Sequence, residues 1–139
     1  MVKSTNMNTL LLKIIMICLG GSLGALSRYS ISVGADNLFK GDFHWATFIV
    51  NGLGCFLVGI AIWFIVSMKL PIAYELFFIT GFLGSFTTFS TYMLDIIDLY
   101  KNGKYTFAIT YFLIHNLLGI TMVLAGIGFI SFLFKRVHH

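Results

Sequence analysis

From Trp45 to Met68 the chain carries no Asp, Glu, Lys or Arg, and the same holds from Leu76 to Leu94 and from Tyr105 to Phe134. A run of about 20 such residues is the length a helix needs to cross the hydrocarbon core of a bilayer. No other feature narrows the possible folds so far. In lipid every backbone N–H and C=O must be satisfied internally, which leaves helices or a closed barrel. The first apolar stretch, Leu10 to Val33, contains Lys13 and Arg28. It still reads as a span rather than a cleaved leader, because it feeds into glycines and Arg28 without a small-residue cleavage site. The expected architecture is an all-α membrane protein of four helices at about 10–33, 45–68, 76–97 and 105–134, in one domain over 1–139.

Composition excludes the soluble alternatives. Only 10% of the residues are charged and 58% are hydrophobic, too few charges to cover the surface of a water-soluble domain. The net charge of +4 comes from scattered Lys and Arg with no basic stripe, so nucleic acid is not the expected partner and membrane lipid is. Cys18 and Cys55 lie in apolar runs without a CxxC spacing and read as small buried hydrophobes. The connections are short, and Pro71, the only proline, lies in one of them. Lys3, Lys13, Lys69, Lys135 and Arg136 fall on the face of the termini, against Lys40, Lys101 and Lys104 on the other. Five against three is a weak bias toward cytoplasmic termini, of the kind a chain inserting in both orientations would show.

The polar residues at membrane depth are few. His115 has no Asp, Glu or Cys at helical spacing, and none of Asp36, Asp42, Glu75, Asp95 and Asp98 falls mid-span. That excludes an enzyme constellation and weakens proton-coupled antiport, which ordinarily keeps an ionisable group near the midplane. Arg28 either snorkels to the headgroups or serves as a structural or anion-attracting charge at a pore mouth. Asn51, in FIVNGLGCFLVG, is flanked by Gly52, Gly54 and Gly59; it is either an interhelical packing amide or part of an ion path. The most unusual stretch is GFLGSFTTFSTY, Gly81 to Tyr92, with Ser85, Thr87, Thr88, Ser90 and Thr91 among rings. On an unbroken helix Phe82, Phe86 and Phe89 share one face. So many hydroxyls beside two glycines instead suggest a local break, whose freed carbonyls bind cations and whose freed N–H groups bind anions. The residues alone lead to a small ion-binding or ion-conducting membrane protein.

Three motifs, GGSLGALSRY (Gly20 to Tyr29), TFIVNGLGCFLVG (Thr47 to Gly59) and GFLGSFTTFSTY, together resemble the CrcB/Fluc family of fluoride channels, in order and over nearly the whole chain. The resemblance implies a homodimer of antiparallel, dual-topology subunits in the cell membrane, exporting cytoplasmic fluoride passively. It implies a structural sodium ion at the dimer interface, held by the backbone carbonyls of Gly84 and Thr87 from both broken third helices, a hard cation on oxygen ligands. It places Asn51, Phe89, Ser90, Thr91 and Tyr92 on the fluoride pathway, with Tyr111, His115, Gly119 and Thr121 at the polar-track positions of the fourth span and Arg28 as the pore-mouth or structural charge. Tyr92 stands where the family has a second phenylalanine, His115 and Gly119 where many members have serines, and Asp95 where glutamate is common. Because some members work as unlike pairs, Tyr92 keeps open a non-conducting partner subunit paired with a paralogue. A small dimeric drug or cation antiporter is the further alternative; it would require a mid-span carboxylate.

These residue types suit fluoride. A bare charge in a low-dielectric medium costs on the order of tens of kcal/mol, so the ion's water must be replaced. Ring edges carry positive potential but are weak ligands. The main donors are therefore expected to be Asn51, Ser90, Thr91 and the Tyr92 hydroxyl. A sodium ion at an assumed distance of about 10 Å adds only roughly 1–2 kcal/mol.

Overall fold

The computed structural model describes residues 6–137; Lys3 and the side chain of Arg136, both counted above on the terminal face, lie outside the described residues. Helix α1 (Met7–Leu38) and helix α2 (Trp45–Ser67) are continuous. The third span, Ile72–Lys101, is not. It begins as α3 (Ile72–Glu75), widens into a π-helical stretch π1 (Leu76–Leu83), and ends its first limb in one turn, α4 (Gly84–Phe86). After Thr87 and Thr88 it resumes as α5 (Phe89–Lys101), and α6 (Tyr105–Val137) completes the chain. The four long apolar helices, with the third interrupted, are the all-helical architecture expected from the sequence. Their outward faces are apolar, with Leu26, Leu117, Ile120 and Leu124 all more than 60% exposed, as a surface wetted by lipid requires.

Two seams hold the bundle. The most extensive packing is of α2 with α6 and of α1 with π1. Both are glycine seams. A Cβ at Gly20 would strike the carbonyl of Phe77, one at Gly24 the carbonyl of Phe82, and one at Gly81 would lie 2.8 Å from the carbonyl of Ile17. In the other seam Gly59 lies against the Val123 carbonyl and Gly126 against the Phe56 carbonyl. Without a hydrophobic drive between helices in lipid, close backbone approach at small residues supplies the packing. Aromatic residues mark both ends. Phe39, Phe43 and Trp45 cluster with centroids 4.5–5.2 Å apart, while Trp63 meets Phe134 at 4.6 Å at the far end, as expected of rings at the membrane–water interface. Lys104 pairs with Asp42 across the two loops on the former side.

The break falls near the middle of the third span. Thr87 has ψ 158° and Thr88 φ −146°, ψ 107°, both extended. Thr87 closes the first limb: its N–H and its hydroxyl both donate to the Leu83 carbonyl, at 3.0 and 2.9 Å. Thr88 opens the second as an N-cap, its hydroxyl accepting from the Thr91 N–H at 3.2 Å, the role for which Ser and Thr are favoured. The break also corrects the single aromatic face expected of a continuous helix. Phe82 and Phe86 stack on each other before it, and Phe89 meets Tyr92 edge-on after it; Phe86 is 2% exposed and Phe89 71%. Cys18, expected to be buried, faces outward, and neither it nor Cys55 is paired.

Candidate functional site

Asn51 bridges the break. Its Oδ1 accepts the Thr88 N–H at 2.8 Å, and its Nδ2 donates to the Thr88 carbonyl at 3.0 Å. The side-chain amide thus takes the place of a peptide unit beside the extended residue. The same Nδ2 lies 2.9 Å from Nε2 of His115. Because Oδ1 is fixed by the Thr88 N–H, that Nδ2 contact can only be a donation, so His115 Nε2 is the acceptor and the ring proton sits on Nδ1. Nδ1 is buried and has no partner among the described residues. Both Asn51 hydrogens are therefore engaged by the protein, and the donor left over at this junction belongs to His115.

Around the junction lies a pocket of about 390 Å³ lined by Asn51, Thr87, Thr88, Phe89, Tyr92, His115 and Asn116, among others. The Tyr92 ring stacks on His115 with centroids 4.2 Å apart and planes 26° from parallel. Its hydroxyl donates to the Phe112 carbonyl at 3.1 Å and accepts from Asn116 Nδ2 at 2.8 Å. The hydroxyl expected to donate to an ion is thus already donating to the fourth span. The side chain of Phe89, 71% exposed on a single subunit, leaves the bundle on the same side.

A second cleft, about 530 Å³, opens beside the first and shares Thr88 with it; Arg28, Asp36, His44, Thr47, Thr91 and Asp95 also line it. Asp95 is buried and tied down from two sides: the Tyr111 hydroxyl donates to its Oδ2 at 3.1 Å, and His44 Nδ1 lies 3.5 Å from its Oδ1. Arg28 has no acidic partner within ion-pair distance among the described residues, although the Asp36 and Asp95 carboxylates line the same cleft. A positive charge of this kind raises the local anion concentration at a mouth.

Two carbonyls at the break have lost their helical donors. The Thr88 N–H, which would serve the Gly84 carbonyl in a continuous helix, goes to Asn51. The Thr91 N–H, which would serve the Thr87 carbonyl, goes to the Thr88 hydroxyl. Gly84 is exposed on the single subunit. No cluster of three His, Cys, Asp or Glu occurs among the described residues, so a metal here would meet backbone oxygen, and two freed carbonyls per chain fit a hard cation.

The remaining candidates separate. Asn51, Phe89, Tyr92 and His115 come together around Thr88. Ser90 and Thr91 are exposed on the single subunit, with Ser90 Oγ 3.5 Å from the Thr88 hydroxyl and Thr91 Oγ1 accepting from it at 2.8 Å. Tyr111 is 1% exposed and reaches Asp95 and the His44 carbonyl. Thr121 is exposed and donates only to the Leu117 carbonyl, and Gly119 faces Cys55 Sγ. Thr88 and Asn116 were not singled out from the sequence as site residues. Thr88 carries a signal, a Ser/Thr N-cap position inside a span with two glycines. Asn116 carries one too, as an amide at membrane depth beside His115.

The model of the family described as "CrcB-like protein, Camphor Resistance (CrcB)" matches residues 15–127. A relative in Nitrosococcus oceani is 40% identical over 116 residues, covering 82% of this chain and 92% of its own length. One in Salinibacter ruber is 40% identical over 125 residues, covering 88% and 92%, and one in Azobacteroides pseudotrichonymphae is 39% identical over 120 residues, covering 84% and 94%. Each of the three is named a fluoride-specific ion channel FluC.

Proposed function

The chain belongs to the CrcB-like protein family, and from that premise we propose that it is a fluoride-specific ion channel, a multi-pass protein of the cell membrane and not an enzyme, through which cytoplasmic fluoride leaves down its gradient. The observation that carries this reading is the mid-span break sealed by a side-chain amide, with Asn51 bonded to both the N–H and the C=O of Thr88. A helix broken at membrane depth without cause would leave buried polar groups at a cost of several kcal/mol. Here the break opens on a pocket and on a cleft in which Arg28 makes no direct ion pair among the described residues.

The protein's part is to replace water. Arg28 draws the anion into the cleft. Thr91, whose hydroxyl accepts from Thr88 and keeps its own hydrogen, offers a donor on the way to the pocket. At the junction an ion competes with His115 for one Asn51 hydrogen, so binding exchanges one hydrogen bond for another. The net affinity stays modest, which conduction requires. The edges of Phe89 and Tyr92 supply weaker positive potential, and the N-terminus of α5 points its dipole toward the same region.

The working unit is an antiparallel dimer of two copies of this chain. Gly84, Ser90, Thr91 and Asn116 are exposed on the single subunit at membrane depth, and a second copy covers polar surface that lipid would not. The Gly84 and Thr87 carbonyls of both copies hold a sodium ion, which supplies fixed positive charge between the pathways. The purified chain alone, reconstituted in liposomes, is expected to give electrogenic fluoride efflux and no comparable chloride efflux. Efflux of neither ion from assembled protein removes the homodimeric channel and favours a partner subunit that needs a paralogue.

A further inference from the structure

The fourth span holds Tyr92 by its hydroxyl. Asn116 Nδ2 donates to that hydroxyl at 2.8 Å and to the Phe112 carbonyl at 2.7 Å, while the hydroxyl donates to the same carbonyl at 3.1 Å. The three groups close a small ring of hydrogen bonds. Tyr92 is 4% exposed, with His115 stacked on one face and the Phe112 ring near-parallel at 12°. An aromatic ring fixed at its Cα and again at its para oxygen cannot swing about χ1. Its remaining motion is a flip about its own axis, which leaves the edge where it was. A phenylalanine at this place would have the stacking and no anchor.

We propose that Asn116 is a positioning residue for fluoride permeation: it fixes the orientation of the Tyr92 ring in the pocket wall, so that residues 92 and 116 act as a matched pair. This rests on the fluoride-channel reading above. In this structure the Asn116 amide is engaged on Tyr92 and Phe112, so its effect on the ion is exerted through the ring. A residue that merely fills space beside Tyr92 would act independently of the hydroxyl; an anchor acts only through it.

The test is a double-mutant cycle on fluoride efflux from liposomes, with chloride leak measured in parallel. Asn116→Leu and Tyr92→Phe break the same contact, so each is expected to lower fluoride flux by about 3- to 10-fold and the double variant by no more than the worse single one. Chloride leak relative to fluoride should rise in each, a change that lost stability alone would not produce. If Asn116→Leu does not assemble, Asn116→Ala removes the same donor with a smaller side chain. Multiplicative losses in the double variant, or wild-type flux and selectivity from assembled Asn116→Leu or Asn116→Ala, overturn the pairing. A wild type that passes no fluoride overturns the channel reading itself, and the inference with it.

Discussion

The two limbs of the third span are built from adjacent sequence and behave as opposites. The first, π1, lies backbone to backbone on α1, with Gly20 and Gly24 opposite the Phe77 and Phe82 carbonyls and Gly81 opposite Ile17. At these positions backbone meets backbone directly, and the cavities between the two elements are lined by apolar side chains such as Met16, Leu23, Phe77 and Phe78. The second, α5, meets the rest of the bundle through long polar side chains: Tyr92 to Asn116, Asp95 to Tyr111 and His44, and Thr88 to Asn51. Side chains that reach across a gap leave cavities beside them, and both cavities that meet at Thr88 border this limb, the first of them reaching Ile79 and Leu83 of π1 as well. Volume alone does not mark the path. A larger groove of about 740 Å³ beside π1 is lined by Leu23, Leu57, Phe64, Phe77 and Phe82, and an apolar wall offers an anion nothing. Close approach of backbones makes a rigid frame, and bridging side chains make a permeable seam.

The sharpest way to break this contrast is to wedge the frame. Gly24→Val puts a branched carbon against the Phe82 carbonyl, where backbone cannot yield as a flexible side chain would. Overpacking of this kind costs about 1–3 kcal/mol or more, and loss of assembled protein on size-exclusion chromatography is the expected result. A monodisperse dimer from Gly24→Val would show that the seam is looser than its geometry implies.

Asn51→Ala tests the other side. It leaves the Thr88 N–H and C=O without their partner while removing nothing from the glycine seams. The unmade hydrogen bonds cost about 1–3 kcal/mol each, so fluoride flux should fall by at least about tenfold while the dimer remains assembled. If instead the protein is lost as completely as with Gly24→Val, the junction belongs to the frame and the distinction between limbs fails.

Tyr92→Ile removes the ring edge and the hydroxyl together, and flux should drop well below that of Tyr92→Phe, which keeps the ring. Robust flux indifferent to Tyr92→Ile would withdraw this ring from the pathway.

The smallest effects are expected at the carbonyls. Thr87→Ser keeps the hydroxyl that donates to Leu83 and should change flux by less than about twofold, a surface-scale perturbation. Gly84→Val is more informative. Gly84 has φ −62° and no atom closer than 3.5 Å to a Cβ placed there, so a Cβ fits within one subunit without backbone strain. A loss of flux that Gly84→Ala does not produce would point to the contact between two copies, where the carbonyls are proposed to share sodium. Equal sodium dependence of flux in wild type and Gly84→Val would count against that site.

The sequence by itself determined the membrane and the number of spans, and marked the stretch, Gly81 to Tyr92, in which the third would break. Each follows from local chemistry: uncharged runs of spanning length, and a cluster of glycine and hydroxyl residues that a lipid-facing helix has no use for. It also marked Asn51 and His115 as polar groups at depth. It could not say that Asn51 closes the break, because that depends on residues 51, 88 and 115 meeting across three helices. Nor could it say which Phe rings point inward. The 3.6-residue period that would place Phe82, Phe86 and Phe89 on one face is reset by two extended residues. The partner of Asn116 stayed hidden for the same reason, since an amide on a helix announces polarity and not what it meets. Hydrogen-bond direction was the last thing decided. Only the amide of Asn51, oriented by the Thr88 N–H, fixes His115 as the acceptor at Nε2, and only the packing of α5 on α6 shows the Tyr92 hydroxyl already donating to the Phe112 carbonyl.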